Sequence, residues 1–121
     1  MSDVLDPAIL ERLRRELGGD PRRVAAILSV YLEEVEPYRA DLRAAAERND
    51  THETVYGAHR LGSASVLVGA THLTALCREL ESLNHDALSS RGRALVTQIE
   101  HETTSVIAAV TAFLTASLTP G

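Results

Sequence analysis

The sequence predicts an all-α protein, an antiparallel up-down four-helix bundle with a short N-terminal capping helix. Three observations carry that expectation. Apolar residues recur at helical spacing along nearly the whole chain, no stretch alternates in the way a strand does, and Asp-Pro pairs and glycines stand where helices would begin and end. Four long amphipathic helices with short links close most simply as a bundle. The chain of 121 residues is the size of one domain, with no internal repeat, linker or low-complexity segment.

The first helix, about residues 6–17, opens at Asp6-Pro7, an N-cap acceptor followed by proline at the first helical position. Ile9, Leu10, Leu13 and Leu17 form its stripe, and Gly18-Gly19 ends it. So short a helix is expected to cover one end of the bundle. Asp20-Pro21 repeats the start signal for a long second helix, about residues 20–47, with Val24, Ile27, Leu28, Tyr31, Val35, Tyr38 and Leu42 as its seam. Pro37 removes a backbone donor and crowds the preceding turn, which predicts a kink near Val35. Because Tyr38 and Leu42 stay in phase, one bent helix is expected. Glu33-Glu34-Val35-Glu36 reads as a solvated face.

The third helix, about residues 50–68, opens at Asp50, with Glu53 completing a capping-box-like pair, and stops at Gly69. Thr71 is the expected cap of a fourth helix, about residues 71–83, whose seam is Leu73, Leu76, Cys77, Leu80 and Leu83. Asn84 to Gly92 reads as a polar connection with some helical turn near its start. A fifth helix, about residues 93–118, follows with Leu95, Ile99, Thr103, Val106, Val110 and Phe113 in phase, and Thr119-Pro120-Gly121 is a frayed end.

Composition excludes several classes. A net charge of −5 argues against a nucleic-acid binder, which needs a basic surface. The most apolar run, Ser105 to Leu118, is short and broken by threonines, so no membrane span is expected. A single cysteine, Cys77, cannot form an internal disulfide and suits a reducing compartment. It lies in an apolar stripe and reads as a core residue. With no signal peptide visible, a cytoplasmic location is expected, and Met1 so near the first helix suggests a free-standing protein. There is no Gly-rich phosphate loop and no nucleophile elbow. His52 and His59 lie seven apart, yet no other histidine has ligand-like spacing with them, and no metal site is expected.

The third helix carries the chemistry. At about 100° per residue, Ala58, Leu61, Ser65 and Val68 share one side, extended backward by Thr51 and Thr54. His59 points off that side, with the small Ser63 one turn along. His52, Tyr56, Ser63 and Val66 share its flank, with Leu67 further round. Val66 and Leu67 form either an apolar docking patch or packing under the next turn. Gly57 and Gly62 each cost about 1 kcal/mol of helix propensity. Gly57 reads as a point of close helix approach, and Gly62 equally as access for a partner at the His59 flank.

The stretch Ala58-His59-Arg60-Leu61-Gly62-Ser63-Ala64-Ser65, closing at Gly69-Ala70, resembles the histidine-containing phosphotransfer domain of multistep two-component relays. That family's motif is His, any residue, Leu, Lys, Gly, Ser or Ala, further small residues, and Gly about ten positions after the His. His59, Leu61, Ala64, Ser65, Gly69 and Ala70 match it, as does the following run of Leu73, Leu76-Cys77 and Leu80-Glu81. Gly62 stands where the family usually has Lys, and Ser63 where it usually has Gly. All twelve basic residues are arginine, so any phosphate-stabilising cation of this chain is an arginine.

The resemblance implies a four-helix phosphoryl carrier that is not itself an enzyme. His59 is the implied phosphoacceptor, taking phosphate from a receiver-domain aspartate and passing it to another receiver. Response-regulator receiver domains or a hybrid histidine kinase are the implied partners, with Mg²⁺ and the catalytic lysine on the receiver and no cofactor on this chain. Arg60, Gly62 and Ser63 are placed in the phosphate neighbourhood, with Arg60 bending toward the phosphate in place of the absent lysine. His52, Tyr56, Val66 and Leu67 are placed at the docking surface. A monomer is expected. The alternative is an adaptor of the same fold that binds a receiver without transfer.

Overall fold

The computed structural model describes residues 4–118. Its elements are α1 (Pro7–Glu16), α2 (Pro21–Glu47), α3 (Thr51–Leu67), α4 (Thr71–Ser82), a short α5 (His85–Ala87), a π-helical turn (Leu88–Gly92) and α6 (Arg93–Leu118). The frayed end expected at Thr119-Pro120-Gly121 lies outside the described residues. Packing runs α2 on α3, α3 on α4, α4 on α6 and α6 back on α2, a closed ring of four long helices. The α1 helix lies against α2 at one end, as its length suggests.

The local signals act as the sequence implies. The side chains of Asp6, Asp20 and Asp50 accept from Ala8 N, Arg22 N and Glu53 N, and Pro7 and Pro21 open their helices. The α2 helix runs unbroken through Pro37. The capping box at Asp50 is only half made, because Asp50 N–H donates instead to Ala45 O at 3.0 Å, in the turn that closes α2. That turn and the one ending α3 are Schellman motifs. After α3, Ala70 N donates to Ser65 O at 3.0 Å and Gly69 N to Val66 O at 3.1 Å, with Gly69 at φ +77°. Gly69 also accepts from Asp6 N at 2.8 Å, which ties the N-terminal segment to the α3–α4 corner.

Three expectations need correction. Thr71 does not cap α4: the N-cap position is Ala70, without a side-chain bond, because the Schellman turn ending α3 already fixes the backbone there. The connection after α4 is mostly helical. The Asn84 side chain accepts from Ala87 N at 2.8 Å, and the chain enters α6 through the π-helical turn, so helix begins well before Arg93. Phe113 is not a core residue. It is partly exposed and lines an apolar cavity of about 600 Å³ between α1 and the last turns of α6, beside Leu5, Leu10 and Val24.

The core is aliphatic. Leu28, Val35 and Leu42 of α2, Leu61 of α3, Leu73 and Leu80 of α4, and Ile99, Val106 and Val110 of α6 are fully buried. Ile27 and Tyr38 of the α2 seam are half-buried. The buried hydroxyls are paired as burial demands. The Tyr31 hydroxyl and Ser65 Oγ pair at 3.0 Å across α2 and α3, and the Thr103 hydroxyl donates to Ile99 O at 2.7 Å. Cys77 is fully buried, and burial followed by the nearby Glu81 charge pushes its thiol up to about 12. No helix of the described residues is long and apolar enough to cross a membrane.

Candidate functional site

The site is built beside a close approach of α3 and α4. An ideal Cβ at Gly62 would stand 3.0 Å from Cys77 Cβ, so glycine is what lets these backbones approach. Gly62 is buried in that contact rather than opening a path for a partner, which corrects the reading of it as an access point. The Gly57 reading holds: its Cβ would meet Leu42 of α2 at 3.4–3.6 Å, an ordinary packing distance.

That approach brings α4 side chains beside His59. The imidazole is 60% exposed, and its Nδ1 lies 2.8 Å from Glu81 Oε1. The other oxygen of the same carboxylate, Oε2, accepts from Arg78 Nη1 at 2.9 Å. Partial burial works against the Glu81 charge, but the hydrogen bonds from Arg78 and His59 outweigh it and hold its carboxyl below the usual glutamate value. At neutral pH Glu81 is therefore ionised and can only accept. In the neutral imidazole it follows that Nδ1 carries the proton, donated to Glu81, and that Nε2 holds the lone pair. A histidine in that tautomer, on a rigid helix and without a cover, is a nucleophile.

Neither Glu81 nor Arg78 is marked by the sequence as a site residue. Both are charged positions beside the α4 seam, three apart, and only the rotation of α4 against α3 turns them to His59. The single available hint was that Leu80-Glu81 closes the run of matching residues.

Arg60 departs from expectation. It does not bend toward His59: its Nη2 donates to Asp41 Oδ2 at 2.7 Å, and its guanidinium lies 4.3 Å from the centre of the Tyr38 ring and 5.4 Å from that of Tyr56. The α2 helix captures this cation through one carboxylate and one aromatic face, on the side of α3 away from His59. Its Nε is buried without a partner, the remaining polar cost of that packing. Arg60 is thereby removed from the phosphate neighbourhood. Ser63 stays exposed on the His59 side.

His52, Tyr56, Val66 and Leu67 are all exposed on α3. They do not form one uniform patch. Tyr56 leans to the α2 side with Arg60, while Leu67 borders a shallow groove of about 320 Å³ with Ile27, Val30 and Ala64. Val30, half-exposed, is an apolar surface residue that the α2 seam passes over because it is out of phase with Val24, Leu28, Tyr31 and Val35. Among the described residues no group of three or more His, Cys, Asp or Glu could hold a metal ion.

A family model described as the Hpt domain matches residues 26–112. Among solved structures, the chain is similar to histidine-containing phosphotransfer protein B (HptB) from Pseudomonas aeruginosa PAO1, with 23% identity and a TM-score of 0.85 over 96% of this chain and 98% of that one. It is also similar to the HPT domain of an Hpt sensor hybrid histidine kinase from Shewanella, with 19% identity and a TM-score of 0.74 over 93% of this chain and 95% of that one. At these identities the two likenesses establish the fold. No curated protein matches the chain.

Proposed function

Because the chain belongs to the Hpt domain family, we propose that it is a phosphoryl carrier of a multistep His-Asp relay, with His59 as the phosphoacceptor. The observation that carries this reading is the Nδ1 contact to Glu81 at 2.8 Å on an exposed imidazole, which in the neutral ring leaves the lone pair on Nε2. Nε2 attacks the phosphorus of a receiver aspartyl phosphate. The P–O bond to the aspartate breaks, and its electron pair stays on the departing carboxylate. The ring keeps its Nδ1 proton and becomes cationic, and Glu81 stands where that new charge appears. Onward transfer to a second receiver is the same step reversed.

Little covalent chemistry is asked of the bundle, since phosphoryl transfer depends on positioning and charge neutralisation. On this reading Mg²⁺ and the catalytic lysine belong to the receiver, and this chain is a substrate of the relay rather than an enzyme. It contributes a fixed tautomer, a rigid helix and a docking face that includes His52, Tyr56, Ser63, Val66 and Leu67, with Val30 added from α2. It acts in the cytoplasm, as a monomer. Its partners are response-regulator receiver domains, free or within a hybrid histidine kinase.

The test is labelled-phosphate transfer from phosphorylated receiver domains with Mg²⁺, comparing wild type with His59→Gln. Acid-labile, base-stable label on the wild type and none on the variant is the expected result. Receiver binding without label on either protein would refute the carrier reading and favour a binding adaptor, for which the absence of lysine at Gly62 is the favouring observation.

A further inference from the structure

A phosphoryl group on His59 Nε2 is an anion that needs a cation near it, and Arg60 and Arg78 are the two arginines whose placement beside α3 the hydrogen bonds define. Arg60 is held by Asp41 and the Tyr38 ring on the α2 side. Arg78 of α4 instead shares the two oxygens of Glu81 with His59, which places its guanidinium one carboxylate's width from the imidazole. Only Nη1 is engaged, and the other guanidinium N–H groups have no acceptor among the described residues. The side chain is 45% exposed, so those donors face solvent beside His59.

The space Arg78 uses exists because residue 62 has no side chain. An ideal Cβ there would lie 3.6 Å from Arg78 Nη1 and 3.9 Å from Cζ, so any longer side chain would meet the guanidinium. The glycine that lets α3 and α4 approach thus also leaves a slot in which an arginine from the neighbouring helix lies across α3.

Resting on the carrier reading, we propose that Arg78 is the phosphoryl-binding cation of this site. Before transfer it offsets the Glu81 charge, which would otherwise repel an incoming dianion. After transfer its unused N–H groups turn to the phosphoryl oxygens, while Glu81 goes on accepting from His59 Nδ1–H. Arginine suits both roles, because its planar fork can serve a carboxylate and a phosphate at once.

The experiment uses potassium phosphoramidate, a small donor that requires no receiver. His59 Nε2 attacks the phosphorus of its N-protonated form, the P–N bond breaks, and neutral ammonia leaves with the bonding pair. Labelling rate and phosphohistidine half-life are measured for wild type, Arg78→Ala, Arg78→Gln and Arg78→Lys, with His59→Gln as the blank and thermal melts as the folding control. Loss of about tenfold in rate is expected for Arg78→Ala and Arg78→Gln, the order of one charge-assisted hydrogen bond. Arg78→Lys, which keeps the charge but not the fork, should retain more of the rate than Arg78→Gln. Arg78→Gln can still bond Glu81, so it separates charge from positioning and decides the matter even if Arg78→Ala does not fold. A wild-type rate for Arg78→Gln overturns the proposal. Labelled His59 that passes nothing to or from any receiver refutes the carrier reading instead, and a wild type that takes no label refutes both.

Discussion

The same substitution at the two interior glycines of α3 is expected to act in opposite directions. Gly62→Ala places a Cβ 3.0 Å from Cys77 Cβ, well inside the optimal carbon–carbon separation of about 3.5–4.0 Å. Cys77 cannot turn this atom away, because Cβ moves only with the α4 backbone, so the two helices must part by roughly half an ångström or more. Overpacking of this kind costs about 1–3 kcal/mol, while the change from glycine to alanine returns about 1 kcal/mol of helix propensity. The net is a loss of about 1 kcal/mol, or about 3–5 °C in Tm for a domain of this size. At Gly57 the nearest atom is Leu42 Cδ1 at 3.4 Å, the tip of a side chain that can yield. There the propensity gain survives, and Gly57→Ala should stabilise by about 0.5 kcal/mol or more. Urea unfolding with an unchanged m-value measures both. A Gly62→Ala variant as stable as wild type would refute the argument that the α3–α4 approach requires glycine, and with it the reason that Glu81 reaches His59.

Other expected outcomes follow from buried groups. Tyr31→Phe or Ser65→Ala alone should each cost about 1–2 kcal/mol by orphaning the partner hydroxyl, and a double-mutant cycle should find the pair cheaper to lose together than the sum of the single losses. Gly69→Ala combines a left-handed φ of +77° with a Cβ 3.1 Å from Asp6 O, so a loss of about 2–4 kcal/mol is expected in the same unfolding assay. Burial pushes the Tyr31 hydroxyl, like the Cys77 thiol, up to about 12. The fold therefore favours their neutral forms, and the corresponding stability is intact below about pH 9 and lost progressively from there to about pH 12, where the folded groups also ionise. A melting series from pH 7 to 11 should fall only above pH 9, and Cys77 should resist alkylation at pH 8 until the protein is unfolded.

Helix positions were legible because their determinants are local. Asp-Pro starts, glycine stops and the 3–4 stripe act within a few residues, and all five expected helices appear near their expected bounds. The exposure of His59 was legible for the same reason, since helical rotation alone puts it off the face of Ala58, Leu61 and Ser65. Where local signals competed, tertiary context decided. The α3 stop left no room for a Thr71 cap, and Asn84 with the π-helical turn carried helix across a segment read mainly as a connection.

The charges around His59 belong to the second kind. Arg60 follows it directly in sequence, yet Asp41 and Tyr38 of α2 draw it away. Glu81 lies 22 residues on and reaches it. A sequence states each helix's own periodicity, but not the rotation and axial offset at which two helices meet. Here those are set by backbone approach at Gly62 and Cys77, a contact between atoms of different helices that no single helix's pattern contains. The exposed His59 ring was therefore a property of the sequence, while its contact with Glu81, and through that carboxylate with Arg78, was a property of the packed bundle.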